Sequence, residues 1–229
     1  MKPFTTLIPR GLIVSCQARR GDALYGSLLM ARMAAAAEQG GAVAIRADGH
    51  DDIGAIRAAT TLPIIGITKN YYPGSAVYIT PTFADAAEAV TAGAVAVALD
   101  ATPRPRPHGE ELQALIDRVH VELDVPVMAD ISSFHEGARA EQLGADAVAT
   151  TLAGYVGECP PTKDPDMGLV DGLSQALRIP VIAEGRYQSP AEAVAALQLG
   201  AYAVVVGSAI TRPHAITERF VSAIKKISG

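Results

Sequence analysis

Eight apolar runs recur along the chain, and the way the chain enters them alternates. The runs are Gly11–Cys16, Ala42–Ile45, Pro63–Ile67, Val95–Leu99, Pro126–Ala129, Ala145–Ala149, Pro180–Ala183 and Ala203–Val206. The second, fourth, sixth and eighth come with a Gly-Ala pair: Gly41-Ala42, Gly93-Ala94, Gly144-Ala145 and Gly200-Ala201. The third, fifth and seventh are entered through Leu62-Pro63, Val125-Pro126 and Ile179-Pro180. Glycine suits the left-handed residue that ends a helix before a strand. Proline is tolerated as the first residue of a strand. Between the runs lie helix-like segments such as Leu24–Glu38, Glu110–Glu122 and Pro190–Leu199. Two starts, Ser133 with Glu136 and Ser189 with Glu192, have capping-box spacing.

Strand, helix, strand in repetition means parallel strands joined by crossover helices. The repeating unit is two strands and two helices, a period of roughly 50–60 residues used four times. In an eight-stranded barrel, odd and even strands feed alternate interior layers, which explains a two-strand rhythm. An open doubly wound sheet gives no reason for one. The expected fold is therefore α/β, a (βα)8 TIM barrel, with residues 1–229 as a single domain.

Composition narrows the partners. Apolar residues make up 49% of the 229, enough for a large core, and the formal net charge is −5. That balance argues against a nucleic-acid groove or an anionic membrane as partner, although clustered arginines can still hold a small anion. No apolar run approaches the roughly 18 residues of a spanning helix. The two cysteines, Cys16 and Cys159, suggest no disulfide framework, so a cytoplasmic setting is expected.

In such a barrel, chemistry sits at the carboxyl ends of the strands. Those ends carry Gln17, Arg46, Lys69, Asp100, Asp130, Thr150 with Thr151, Glu184, and Gly207 with Ser208. The loops after strands seven and eight commonly hold a phosphate, which points to Gly185, Arg186, Gly207 and Ser208. Lys69 reads as a Schiff-base nucleophile, a general base of lowered pKa, or a solvated charge. The first two need desolvation or a nearby cation, and Arg46 is placed to supply that cation. Lys69 and Glu184 flanking one carbon would suit a two-base epimerisation. Asp100 is expected to pair internally with the Arg104–Arg106 stretch. The five histidines show no metal-ligand spacing. The stretches Tyr71–Pro81 and Ala153–Gly168 are expected to be lids or binding loops.

Eight segments, read together, resemble the bacterial N-acetylmannosamine-6-phosphate 2-epimerases of sialic acid catabolism. They are Gly11–Ala18, Gly40–Ala47, Gly66–Lys69 with Tyr72-Pro73, Ala98–Thr102 with Arg104–Pro107, Met128–Ser132, Thr150–Tyr155, Ile182–Arg186 and Val205–Pro213. The resemblance implies interconversion of N-acetylmannosamine 6-phosphate and N-acetylglucosamine 6-phosphate. It implies catalysis by Lys69 and Glu184, and substrate contacts from Gln17, Arg46, Asp130 and Arg212. It places the phosphate on Gly185, Arg186, Gly207 and Ser208. No metal and no organic cofactor are implied, and a homodimer is expected. The chain departs from the family pattern at Ala153 and in the Val156–Asp164 loop. Two other readings stay open: a sugar-phosphate aldolase using Lys69 as Schiff base, and a non-catalytic phosphosugar-binding regulator.

Overall fold

The computed structural model describes residues 1–156 and 163–227. All eight runs become parallel strands of one closed barrel, each paired with its neighbours in sequence and β8 with β1. The first half runs α1 (Phe4–Leu7), β1 (Gly11–Cys16), α2 (Ser27–Gln39), β2 (Ala44–Asp48), α3 (His50–Ala59), β3 (Ile64–Ile67), α4 (Phe83–Thr91) and β4 (Ala96–Asp100). The second half runs α5 (Leu112–Arg118), β5 (Val127–Asp130), α6 (Phe134–Gln142), β6 (Ala147–Ala149), α7 (Met167–Ala176), β7 (Val181–Glu184), α8 (Pro190–Gln198), β8 (Ala203–Val206), α9 (Ser208–Thr211) and α10 (Pro213–Lys225). The (βα)8 barrel is thus the fold.

The two modes of strand entry have a common hydrogen-bonding logic at the lower rim. Gly41, Gly93, Gly144 and Gly200 all have positive φ, between 88° and 114°. The N–H of the following alanine returns to a carbonyl five residues back, at Ala37, Ala89, Ala140 and Ala196, over 3.0–3.1 Å. This is the Schellman closure, copied four times. The proline entries work from the other side. Pro63, Pro126 and Pro180 donate nothing, but their carbonyls accept from Ile45, Val97 and Val148 on the preceding even strand.

The Schellman turn also explains a shift in β2. The run Ala42–Ile45 was expected to end before Arg46, but Ala42 belongs to the turn and the strand extends through Asp48. Arg46 pairs in register with Ser15 and Ile65, so it lies within the strand rather than beyond it. The sixth strand starts two residues late for the same reason.

Inside the barrel the layers alternate in size. Odd strands contribute Ile13, Ile65, Ile67, Met128 and Ile182; even strands contribute Ala44, Ala96, Ala98, Ala147, Ala149 and Ala203, with Val205 the one larger side chain among them. Large side chains from one set fill the space left by the small ones of the other, as close packing requires. Phe4 and Ile8 close the bottom. Side chains alternate along a strand, so continuing the inward parity upward reaches Ser15 and Gln17, Arg46 and Asp48, Lys69, Asp130, Thr151, Glu184 and Gly207.

The opposite parity faces the helices, and there Gly66 is tightly enclosed. A Cβ at Gly66 would lie 2.6 Å from the Ala94 Cβ and 3.0 Å from the Ala89 Cβ. Neither methyl can swing away. Gly66→Ala is expected to cost about 1–3 kcal/mol through overpacking, read as a lower urea midpoint; an unchanged midpoint would refute the packing argument.

Candidate active site

The upper mouth of the barrel holds a cavity of about 350 Å³. Nine of the ten expected site residues line it: Gln17, Arg46, Lys69, Glu184, Gly185, Arg186, Gly207, Ser208 and Arg212. The exception is Asp130, which is wholly buried just beneath.

Arg46 organises the floor. Its side chain is 1% exposed, an extreme position for a guanidinium. Nη1 donates to Asp130 Oδ1 at 3.0 Å, to Thr151 Oγ1 at 3.1 Å, and to Glu184 Oε2; Nη2 donates to Asp130 Oδ2. Thr151 bridges the two acids, donating to Asp130 Oδ1 at 2.6 Å with Glu184 Oε2 at 3.1 Å. Burial works against the cation, but Asp130 and Glu184 outweigh it and hold Arg46 charged. Burial pushes the Glu184 carboxyl above its ordinary value, and Asp130 adds to that; Arg46 and Thr151 pull the other way. Glu184 is fixed at the main chain too, where its N–H donates to Thr150 Oγ1 at 3.0 Å.

Lys69 occupies a second cluster on the same cavity. Its Nζ donates to Gln17 Oε1 and lies 3.2 Å from Asp48 Oδ2. The segment beyond it doubles back: Lys69 bridges Ile79 antiparallel, and Asn70 N–H donates to Tyr78 O at 3.0 Å. Ile79 plugs into the barrel interior, and Tyr71 stacks on Tyr78 at 5.6 Å. Burial lowers the Lys69 pKa; Asp48 opposes this, while Arg46 and Arg19 assist. The cation effect anticipated from Arg46 is therefore present, but desolvation is the leading cause.

At the far side, Gly185 has φ 109°, a backbone conformation that favours glycine, and an added Cβ would meet the Thr150 carbonyl only at ordinary contact distance, 3.6 Å. Gly207 and Ser208 lead into α9, whose Thr211 hydroxyl ties back to Ser15 O at 3.0 Å. The Arg186 guanidinium turns towards the loop after β6. Nη1 donates to Ala153 O at 2.5 Å and Nε to Asp164 O at 2.9 Å, with the group stacked 5.0 Å from the Tyr155 ring. Arg212 lies 3.8 Å from Asp22.

Asp100 pairs internally as expected, with Arg104 at 2.5 Å and the Thr102 hydroxyl at 2.7 Å. None of the five histidines lines the cavity. Cys16 is buried, with its thiol pushed up to about 12, and packs as a neutral group. Cys159 and residues 157–162 of the Val156–Asp164 loop lie outside the described residues. Among the described residues, no group of three or more His, Cys, Asp or Glu could hold a metal ion, and no helix is long and apolar enough to cross a membrane.

Sequence reading missed Asp48, Arg19, Ser15 and Tyr78. The first was findable: it follows Arg46 by two residues and shares its parity. Tyr78 sits in the Tyr71–Pro81 stretch expected to be a lid or binding loop, but nothing there marks the residue itself, which reaches the cavity through the doubling back of that stretch.

Comparison with known proteins adds independent information. The family model described as "Putative N-acetylmannosamine-6-phosphate epimerase" matches residues 30–226. A protein of Caldanaerobacter subterraneus subsp. tengcongensis, described as "Putative N-acetylmannosamine-6-phosphate 2-epimerase", is 50% identical over 220 residues, covering 96% of this chain and 93% of that protein. One of the same description from Clostridium perfringens strain SM101 is 48% identical over 219 residues, covering 96% and 99%. A solved structure of the N-acetylmannosamine-6-phosphate 2-epimerase from Clostridium perfringens superposes with a TM-score of 0.91 at 47% identity, covering 95% of this chain and 94% of that one.

Proposed function

Since the chain belongs to the N-acetylmannosamine-6-phosphate epimerase family, we propose that it interconverts N-acetylmannosamine 6-phosphate and N-acetylglucosamine 6-phosphate by removing and returning the C2 proton. The observation that carries this reading is one cavity lined by both a desolvated lysine, Lys69, and a carboxyl of raised pKa, Glu184. Groups whose environments move their pKa values towards neutrality from opposite sides suit acid/base exchange.

In the closed sugar, C1 is a hemiacetal carbon and the C2 proton is hardly acidic. Ring opening creates an aldehyde at C1 that can accept the electron pair from C2. Lys69 takes the C2 proton, an enolate forms, and a proton returns on the other face. Glu184 assists ring opening or supplies the proton on that face. Gln17 and Arg212 contact the sugar. Arg46, with Nη1 and Nη2 engaged by Asp130, Glu184 and Thr151, acts chiefly by holding the glutamate in place and supplying positive charge beneath the developing oxyanion; Asp130 supports it from below.

The phosphate lies against the backbone N–H groups around Gly185, Arg186 and Gly207, with the Ser208 hydroxyl beside them. It anchors one end of the substrate, so its binding energy positions C2 at the other. The chemistry is redox-neutral and calls for side chains alone.

The reaction belongs to the breakdown of sialic acid in the cytoplasm, carried out by a homodimer of single-domain chains. Support for the dimer comes from α10: none of its residues is buried, and Phe220 is 68% exposed. A second copy would cover that apolar face.

Product formed in heavy water is expected to carry deuterium at C2, detected by the loss of the C2 proton signal in NMR. Epimerised product that keeps its original C2 proton would sink the proton-exchange scheme.

A further inference from the structure

Asp48 ends β2 on the inward parity, two residues beyond Arg46. Its carboxylate holds Lys69 at two points. Oδ1 accepts the Lys69 backbone N–H at 2.9 Å, and Oδ2 lies 3.2 Å from Nζ. On the other side, Nζ donates to Gln17 Oε1, and Gln17 is itself fixed by Nε2 donating to Ser15 Oγ at 2.9 Å. The terminal nitrogen therefore meets one acceptor from β2 and one from the segment after β1, while lining the cavity.

A neutral amine has two N–H bonds and one lone pair, arranged tetrahedrally about nitrogen with the Cε bond. We propose that Asp48 is a positioning residue for epimerisation: with Gln17 it engages the two N–H bonds of neutral Lys69 and leaves the lone pair for the cavity. The inference rests on Lys69 being the C2 base. The lone pair forms an N–H bond to the C2 proton, the C–H electrons pass into the enolate, and the new N–H of the ammonium occupies the direction the lone pair had. That same N–H is delivered when the reaction runs backwards. Without Asp48, rotation about Cε–Nζ would let the lone pair turn away.

The charged groups around Lys69 make the role testable by pH. Asp48 and Arg46 face it from β2, and Arg19 from the segment after β1. Glu184 lines the same cavity from β7 but is tied to Arg46. Tyr78, from the loop after β3, has its phenol pushed up by burial and is uncharged at neutral pH. Among these groups Asp48 is the acid that touches Nζ, so it favours the ammonium form.

Asp48→Asn keeps an oxygen for the Lys69 backbone N–H and removes the charge. We expect kcat to fall roughly 100-fold, the scale of a misaligned reacting group, with KM little changed. We also expect the acid limb of the kcat profile to move down by ~1 pH unit, the low end for loss of an adjacent opposite charge. In parallel, the rate at which trinitrobenzenesulfonate labels Lys69, followed against pH by mass spectrometry, reports the lysine pKa without reference to turnover. The proposal stands if labelling and the acid limb both move down and kcat falls. An unmoved labelling profile overturns it while leaving Lys69 as base. A labelling profile that moves while the acid limb stays overturns it by removing Lys69 from the base role.

Discussion

Lys69→Met is expected to lower epimerisation by roughly 10³–10⁴-fold, the upper part of the range for one general acid/base, while phosphosugar binding persists. The end of the cavity proposed to hold the phosphate, at Gly185 and Gly207, is built from β7 and β8 rather than from β3, so calorimetric titration with the 6-phosphate sugar should still give a binding isotherm. Turnover within tenfold of the parent would remove Lys69 from the mechanism. Stability should respond in the opposite sense. The folded pKa of Lys69 is depressed below the ordinary 10.5. Its contribution to stability is therefore fully present above 10.5 and is lost as pH falls through the folded value. Relative to the parent, the methionine variant should gain in melting temperature as pH is lowered across that window. A buried lysine at such a position costs stability relative to an apolar residue of similar length.

Arg46→Met should have the largest effect on stability. Arg46 is the counter-charge for Asp130, which is 0% exposed, and for Glu184, whose side chain is 13% exposed. Removing one partner of a buried pair strands the other, at a cost of about 3–5 kcal/mol. Thr151 remains as a donor but brings no charge. Glu184, whose carboxyl burial already pushes up and Arg46 pulls down, can relieve the strain by protonating, so its folded pKa rises further in the variant. Stability gained by that protonation is present at low pH and lost as pH rises through the raised value. The deficit should accordingly be smaller at pH 5 than at pH 8 in urea unfolding. A variant as stable as its parent at pH 8 would contradict the picture of Arg46 as the keystone of the floor. Activity should be lost as well, since Glu184 would no longer be held.

Much of the architecture was legible because it rests on local rules repeated four times. A glycine before each even strand and a proline at the entry to the third, fifth and seventh follow from backbone sterics, and they survive without knowledge of tertiary contacts. Arg46, Lys69 and Glu184 stood out because charges interrupt apolar runs where burial is otherwise the rule. What escaped depended on how distant segments meet. The return of Tyr78 and Ile79 over the mouth is set by the antiparallel bridge at Lys69, which has no sequence marker. The attachment of Arg186 to Ala153 and Asp164 depends on the loop after β6, and its positive φ of 62° is likewise invisible beforehand. Asp130 read as an open strand end because its two neighbours come from elsewhere in the chain, Arg46 from β2 and Thr151 from the turn just after β6.

The inward parity of the strands also limits how the gene can change in length. One extra codon between Ala44 and Arg46 would rotate the arginine into the helix layer and bring a neighbour into the barrel, undoing floor and packing together. The same insertion between Gly74 and Ser75, in the segment between β3 and α4, would only lengthen that connection. Length variation among such proteins should therefore collect above the barrel mouth, where it reshapes what the cavity admits, and be purged from the staves that hold Lys69 and Glu184 in place.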